Sequence, residues 1–155
     1  MLLSRIFIII FLIISGWRMP ELSNINDYFI HSNNITIYNN GNTCTYNHDT
    51  QEFNDIIDSI NNMCNNSHEM PAFGVSLHKE TLIAIQTGIW IELEFNSTIT
   101  HNDMPFSKLI FEINPEYSGF NIIRYCDNKY EGRCYYLNLD SDMSELYSLI
   151  KSYIM

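Results

Sequence analysis

The residues of this chain best placed to do chemistry are two carboxylates one residue apart, Glu92 and Glu94, beside Trp90 in Ile89-Trp90-Ile91-Glu92-Leu93-Glu94-Phe95. A two-residue step on a strand sends both carboxylates to one face. There they could act as an acid/base pair, or meet a cationic partner while the indole serves as an anchor. The plainer reading is the solvated side of a strand. Tyr130 and Glu131 repeat the combination, with Tyr117, Tyr136, Asp127, Asp140 and Asp142 close by in sequence. Cys44-x3-His48 and Cys64-x3-His68 offer ligand types that bind zinc, but not the knuckle spacing that presents two thiolates from one turn. No metal or cofactor is therefore expected. G-x-S-x-G, H-E-x-x-H and phosphate-cradling glycine loops are missing from the sequence, and the expectation is a protein that is not an enzyme.

The four cysteines admit two readings. Cys126 and Cys134 are expected opposite each other on a hairpin, where a disulfide is geometrically possible. Cys44 and Cys64 would then complete an even set. Alternatively, all four are reduced thiols packed as small apolar residues. The choice follows the N-terminus. Arg5, the polar-free run Ile6 to Ile14 and Ser15-Gly16 have the layout of a secretory signal peptide. Cleavage after Gly16 or Ser15 would leave Ile14 or Ile13 where a small residue is wanted. Met19-Pro20-Glu21 reads equally as a start of its own, with residues 1–18 an upstream stretch. A third reading is an uncleaved anchor or a buried helix. The first reading makes the protein secreted or periplasmic, the second cytoplasmic. The apolar run is well short of the roughly 20 residues of a stable membrane span.

The chain has 155 residues and a net charge of -10. Without Arg5 and Arg18, residues 19–155 carry 6 basic and 18 acidic side chains, a charge of -12. Clustered Lys and Arg are what nucleic acid and anionic membranes require, so neither is an expected partner. A basic protein is. Ile and Asn abound while Ala is confined to Ala72 and Ala84, a bias that AT-rich codons would produce. Such codons also raise Lys, yet only Lys79, Lys108, Lys129 and Lys151 occur, so the acidity runs against the bias. The sequons at Asn34, Asn65 and Asn96 are about as many as chance gives in so Asn-rich a chain.

Residues 19–155 read as a single domain. Ile35 to Tyr38 and Thr43 to Tyr46 flank Asn39-Asn40-Gly41-Asn42, and Asn-Gly between alternating runs predicts a hairpin pairing Tyr38 with Thr43. Asp49 and Glu52 stand in capping-box relation ahead of an apolar stripe of Phe53, Ile56, Ile57, Ile60 and Cys64, which predicts a helix. Phe73 to Leu77 and Thr81 to Ile85 are expected as strands joined across His78-Lys79-Glu80. A strand at 89–95 follows, with Ile89, Ile91, Leu93 and Phe95 inward and Trp90, Glu92 and Glu94 on the other side. A polar loop through Pro105 leads to a strand at 109–113. Phe120 to Cys126 and Arg133 to Leu139 form a second hairpin with Ile123, Tyr125, Tyr135, Leu137 and Leu139 on one face. A last helix, capped by Ser141, carries Met143, Leu146, Tyr147, Ile150, Tyr153 and Ile154. The predicted class is α+β, an antiparallel sheet of hairpins packed against two amphipathic helices that share one sheet face and leave the other open.

Glu52-Phe53-Asn54-Asp55-Ile56-Ile57, Gly74 to Leu77, Trp90 to Phe95 and Gly119 to Leu139, above all Tyr130-Glu131-Gly132-Arg133-Cys134-Tyr135-Tyr136, together cover about half the domain. In these stretches the chain resembles the immunity proteins of bacterial contact-dependent and other polymorphic toxin systems. The resemblance is one of type: a compact, acidic α+β domain. It implies a stoichiometric inhibitor of one cognate toxin, often a basic nuclease, and assigns no role to single residues. Trp90, Glu92, Glu94, Tyr130 and Glu131 are the partner-binding candidates. The rival function is a secreted, disulfide-bonded effector or host-interaction protein.

Overall fold

A computed structural model describes residues 21–72 and 74–154; the apolar segment 1–18 lies outside the described residues, as does Phe73. The fold is α+β. Seven strands make an antiparallel sheet in the order β2-β1-β5-β6-β7-β9-β3, from β1 (Asn34–Asn39), β2 (Asn42–Asn47), β3 (His68–Met70), β5 (Ile89–His101), β6 (Met104–Glu112), β7 (Gly119–Tyr125) and β9 (Tyr135–Asn138). A two-stranded ribbon pairs β4 (Val75–Ser76) with β8 (Gly132–Arg133). The helices are α1 (Gln51–Met63), α2 (His78–Ala84) and α3 (Ser144–Ile154), preceded by the 3₁₀ helix Ile25–His31.

The first hairpin forms as its turn residues require. Asn40 and Gly41 both take positive φ, 48° and 84°, and Tyr38 faces Thr43. Ile35 and Ile37 point into the core, whereas Cys44 is exposed on the edge strand β2. In α1 the predicted stripe is buried, with Met63 added to Phe53, Ile56, Ile57 and Ile60. Burying those five side chains contributes on the order of 10 kcal/mol. The cap, however, is Thr50, whose hydroxyl accepts the Phe53 amide at 3.3 Å, and not Asp49. In α3, Leu146 and Ile150 are buried and Tyr147, Tyr153 and Ile154 lie against the core. The helix starts at Ser144, where the Asp142 carboxylate accepts the backbone N–H; the Ser141 hydroxyl donates instead to the Met63 carbonyl.

Helices α1 and α3 and the 3₁₀ helix cover one sheet face, where Ile91, Leu93, Phe106, Phe111, Ile122, Tyr135 and Leu137 complete the core. The opposite face is not left open. Residues 126–131 and the end of α2 fold over part of it, making a small second core of Ile85, Ile110 and Tyr130 against Tyr38, Trp90, Ile123 and Tyr125.

Three further expectations are corrected. Residues 81–85 are not a strand: 78–84 are helical, and both edges of β5 are already occupied, by β1 and β6, so no ladder position remains beside it. The loop through Pro105 is instead a continuation of the β5–β6 hairpin to a tight Asn102-Asp103 turn, both residues at positive φ, with Pro105 inside β6 opposite Thr100. The last hairpin turns at Asp127-Asn128, where Cys126 and Lys129 exchange backbone hydrogen bonds of 3.0 Å. Residues 130–133 then detour to the β4–β8 ribbon. The detour moves the register so that Ile122 faces Tyr135 and Phe120 faces Leu137. Cys126 therefore does not oppose Cys134, and Ile123 and Tyr125 lie on the face opposite to Tyr135 and Leu137. Cys44, Cys64, Cys126 and Cys134 are all free thiols.

Candidate functional site

The second face of the sheet gathers the sequence-predicted residues, but at two depths. Glu92 is buried, 3% exposed, and fully engaged. The Lys108 ammonium donates to its Oε1 at 3.2 Å and also pairs with Glu94 at 3.3 Å; the Tyr130 hydroxyl donates to its Oε2. Cross-strand register makes these contacts, since Glu94 faces Lys108 on β6. Tyr130 is held from above as well: its amide donates to His78 Nδ1 at 3.1 Å, and the two rings stack at 6.0 Å. Burial opposes the charge on Lys108, yet the two carboxylates outweigh burial and hold the ammonium above the usual lysine range. Burial, then Glu92, pushes the hydroxyls of Tyr38 and Tyr130 up from the ordinary tyrosine value. A carboxylate so satisfied pins α2 and the 126–131 loop to the sheet. Glu131 lies outside this cluster, half exposed and 3.7 Å from Lys129.

Around the cluster the face is accessible and apolar. Val75 is 68%, Leu77 57% and Ile83 65% exposed, and Leu82 is exposed beside them on α2. Two cavities share Asn121 and Ile123, and the first of them is lined by Val75 and Leu77 of this patch. One, of about 320 Å³, lies under α2 between Val75, Leu77, Ala84 and Cys134, with Glu80 at its rim. The other, of about 360 Å³, is walled by Trp90, Tyr117, Phe120 and Tyr136, with Glu112 in its lining. Among the described residues Glu80 and Glu112 are the carboxylates of the two linings, one to each hollow.

A second polar cluster lies at the far end of β5. The buried His101 ring is 2.9 Å from Glu69 through Nε2, and Glu69 also accepts the Ile25 amide at 2.7 Å and the Asn102 side chain at 3.0 Å. His101 packs between Tyr28 and Tyr135, with Nδ1 buried and unpartnered. The Glu69 carboxylate is the centre of this cluster. Its partners are backbone and side-chain groups of neighbouring elements, which makes it a fastening between β3, the 3₁₀ helix and the β5–β6 turn.

The predicted partner-binding residues are thus separated. Trp90 lines an accessible cavity, Glu94 is partly exposed, Glu131 is exposed, and Glu92 and Tyr130 are interior. The patch that sequence reasoning missed, Val75, Leu77, Leu82 and Ile83, reads in sequence as strand. The helical placement of 78–84 turns Leu82 and Ile83 outward, and Val75 is exposed on the two-stranded ribbon. Among the described residues no three His, Cys, Asp or Glu side chains converge as a metal site, and no helix is long and apolar enough to cross a membrane. No protein-family model, curated protein or solved structure matches this chain.

Proposed function

We propose that this protein is a protein-binding domain of the immunity type, which blocks a basic partner stoichiometrically through the second face of its sheet. The observation that carries the reading is the exposed set Val75, Leu77, Leu82 and Ile83, with a hollow lined by Val75, Leu77 and Glu80 that shares Asn121 and Ile123 with the Trp90 and Glu112 hollow. Large exposed apolar patches rimmed by polar groups mark interaction sites. Aromatic and aliphatic anchors in hollows supply affinity, while carboxylates steer and orient a cationic partner. The acidity of residues 19–155 supports the same class of partner. The secreted-effector reading draws on paired cysteines, and the four thiols here are free.

The test mixes the protein one-to-one with purified basic nuclease toxin domains and scores nuclease inhibition and binding heat. Leu77→Asp and Ile83→Asp are expected to weaken the inhibitory complex about tenfold or more. Their thermal midpoints should stay unchanged, because both side chains are exposed. Inhibition equal to wild type in both variants, or no inhibition of any basic toxin domain, would sink the proposal.

A further inference from the structure

We infer that the hollow walled by Trp90, Tyr117, Tyr136 and Glu112 is a binding pocket for an organic cation, an ammonium or guanidinium head, and that its source is a lysine or arginine side chain of the docked partner. The identity of the source rests on the docking role proposed above; the pocket itself rests on local geometry.

The pocket exists because two strands part. Trp90 and Glu112 are cross-strand partners on β5 and β6, and Asn121 and Tyr136 are partners on β7 and β9. Between β6 and β7, however, pairing ends at Ile110 and Ile123, although β6 runs on to Glu112 and β7 begins at Gly119. Beyond that rung the sheet opens. The turn at 114–117 is closed by a 3.0 Å bond from the Tyr117 amide to the Asn114 carbonyl, and Tyr117, 39% exposed, becomes the outer wall.

Each wall is fixed in a way that leaves a cation as the natural occupant. Trp90 Nε1 donates to the Thr87 carbonyl at 3.0 Å. That bond sets the ring and uses its single donor, so what the indole offers a ligand is its π surface. Tyr136 lies where only glycine allows it: a Cβ on Gly119 would collide with the Tyr136 hydroxyl and sit 2.9 Å from the Leu137 carbonyl. Gly88, at φ +73°, lies close to Glu112, whose Oε1 would be 3.3 Å from an added Cβ. Among the described residues the Glu112 carboxylate has neither a hydrogen bond nor an ion pair. Two cations of the sheet are committed elsewhere. Lys108 holds Glu92 and Glu94, and Arg124 is spent on the carbonyls of Arg133 at 2.8 Å and Pro105 at 2.6 Å.

Aromatic faces with one carboxylate select by chemistry. The quadrupole of each ring attracts a cation, and tryptophan does so most strongly. An anion is repelled by Glu112. A neutral apolar group would strip water from that carboxylate without replacing it. A metal ion would find one carboxylate and no His or Cys among the described lining residues.

The experiment uses Trp90 as its own reporter. The chain has two tryptophans, so Trp17→Phe in the full-length protein leaves Trp90 as the lone indole. Its fluorescence is titrated with N-acetylargininamide, N-acetyllysinamide, choline and the neutral choline isostere 3,3-dimethylbutanol. Expected is a saturable change with the cations at millimolar concentration and at least tenfold weaker binding of the isostere. Glu112→Gln and the loop variant Tyr117→Ala should each weaken cation binding about tenfold. A preference for the amino-acid amides over choline supports a protein side chain as the source. A preference for choline keeps the cation pocket but overturns that source in favour of a free small cation. No saturable change with any cation, equal affinity for the isostere, or unchanged affinity in both variants with native circular dichroism overturns the pocket. These titrations contain no partner, so their failure leaves the docking face to the Leu77→Asp and Ile83→Asp tests, and failure of those leaves the pocket intact.

Discussion

Glu92 shows how one side chain changes meaning with depth. On a solvated strand it would be a surface charge; here it is a buried anion held by Lys108 and Tyr130. Lys108→Met should cost about 2 kcal/mol in a denaturant titration, less than the roughly 3–5 of a wholly interior pair because its side chain is partly wetted. Tyr130→Phe removes a donor from the same carboxylate and should cost about 1–3 kcal/mol, read from the same titration. The pH dependence follows from the same groups. The folded state holds Lys108 above its ordinary value of 10.5 and Tyr38 and Tyr130 above 10.0. Groups raised in this way contribute stability that is complete below the unfolded values and is lost as pH climbs past them. Unfolding midpoints should therefore be unaffected by these groups below about pH 10 and fall above it. A rise in stability through that window would contradict the arrangement. The cysteines add a kinetic readout. Burial pushes the Cys64 thiol up to about 12 and raises Cys134 as well, while Cys44 is exposed. Cys44 should be first to react with a disulfide reagent, and Cys44→Ser should remove that fast phase. In denaturant without reductant, all four should alkylate.

Among the elements, those specified by neighbours in sequence were legible and those specified from afar were not. Asn40-Gly41 sets its hairpin through backbone torsions alone, and the 3–4 spacing of Phe53 to Ile60 sets the buried side of α1. The alternation of Ile89 to Phe95 likewise gives the inner face of β5. By contrast, Thr81 to Ile85 is a short apolar run that suits a strand, and the occupied edges of β5 leave it no ladder position. The β7–β9 register escaped because the excursion of 130–133 is tied to Val75-Ser76, far back in the chain. The partners of Glu92 are 16 and 38 residues away, a separation that carries no local signal. Of the site, Trp90 could be read as a surface aromatic; the hollow it lines requires the parting of β6 and β7 and could not. The edge strand β3 is fastened less by its short ladder than by Glu69, which accepts from Ile25, Asn102 and His101. Glu69→Ala should cost about 2–3 kcal/mol. Hydrogen exchange should show the loss as faster opening of the 3₁₀ helix and β3 ahead of the central strands.

Taken whole, the molecule is an acidic body whose second face carries the exposed Val75, Leu77, Leu82 and Ile83. If a basic partner docks there, attraction acts before contact. Stopped-flow association should slow by about tenfold between roughly 0.01 and 0.15 M salt, with dissociation much less affected. The layout also has a consequence for biosynthesis. The first three strands made are β1, β2 and β3, yet β2 and β3 are the two outer edges, about 29 Å apart across seven strands, with α1 as the link between them. Nothing connects those edges until β5, β6, β7 and β9 have left the ribosome to fill the gap. The early half of the nascent chain thus emerges as two edges without a middle, held open until the last hairpin closes the sheet. Such non-local closure slows folding, and a chain halted before β9 has no place to put β3.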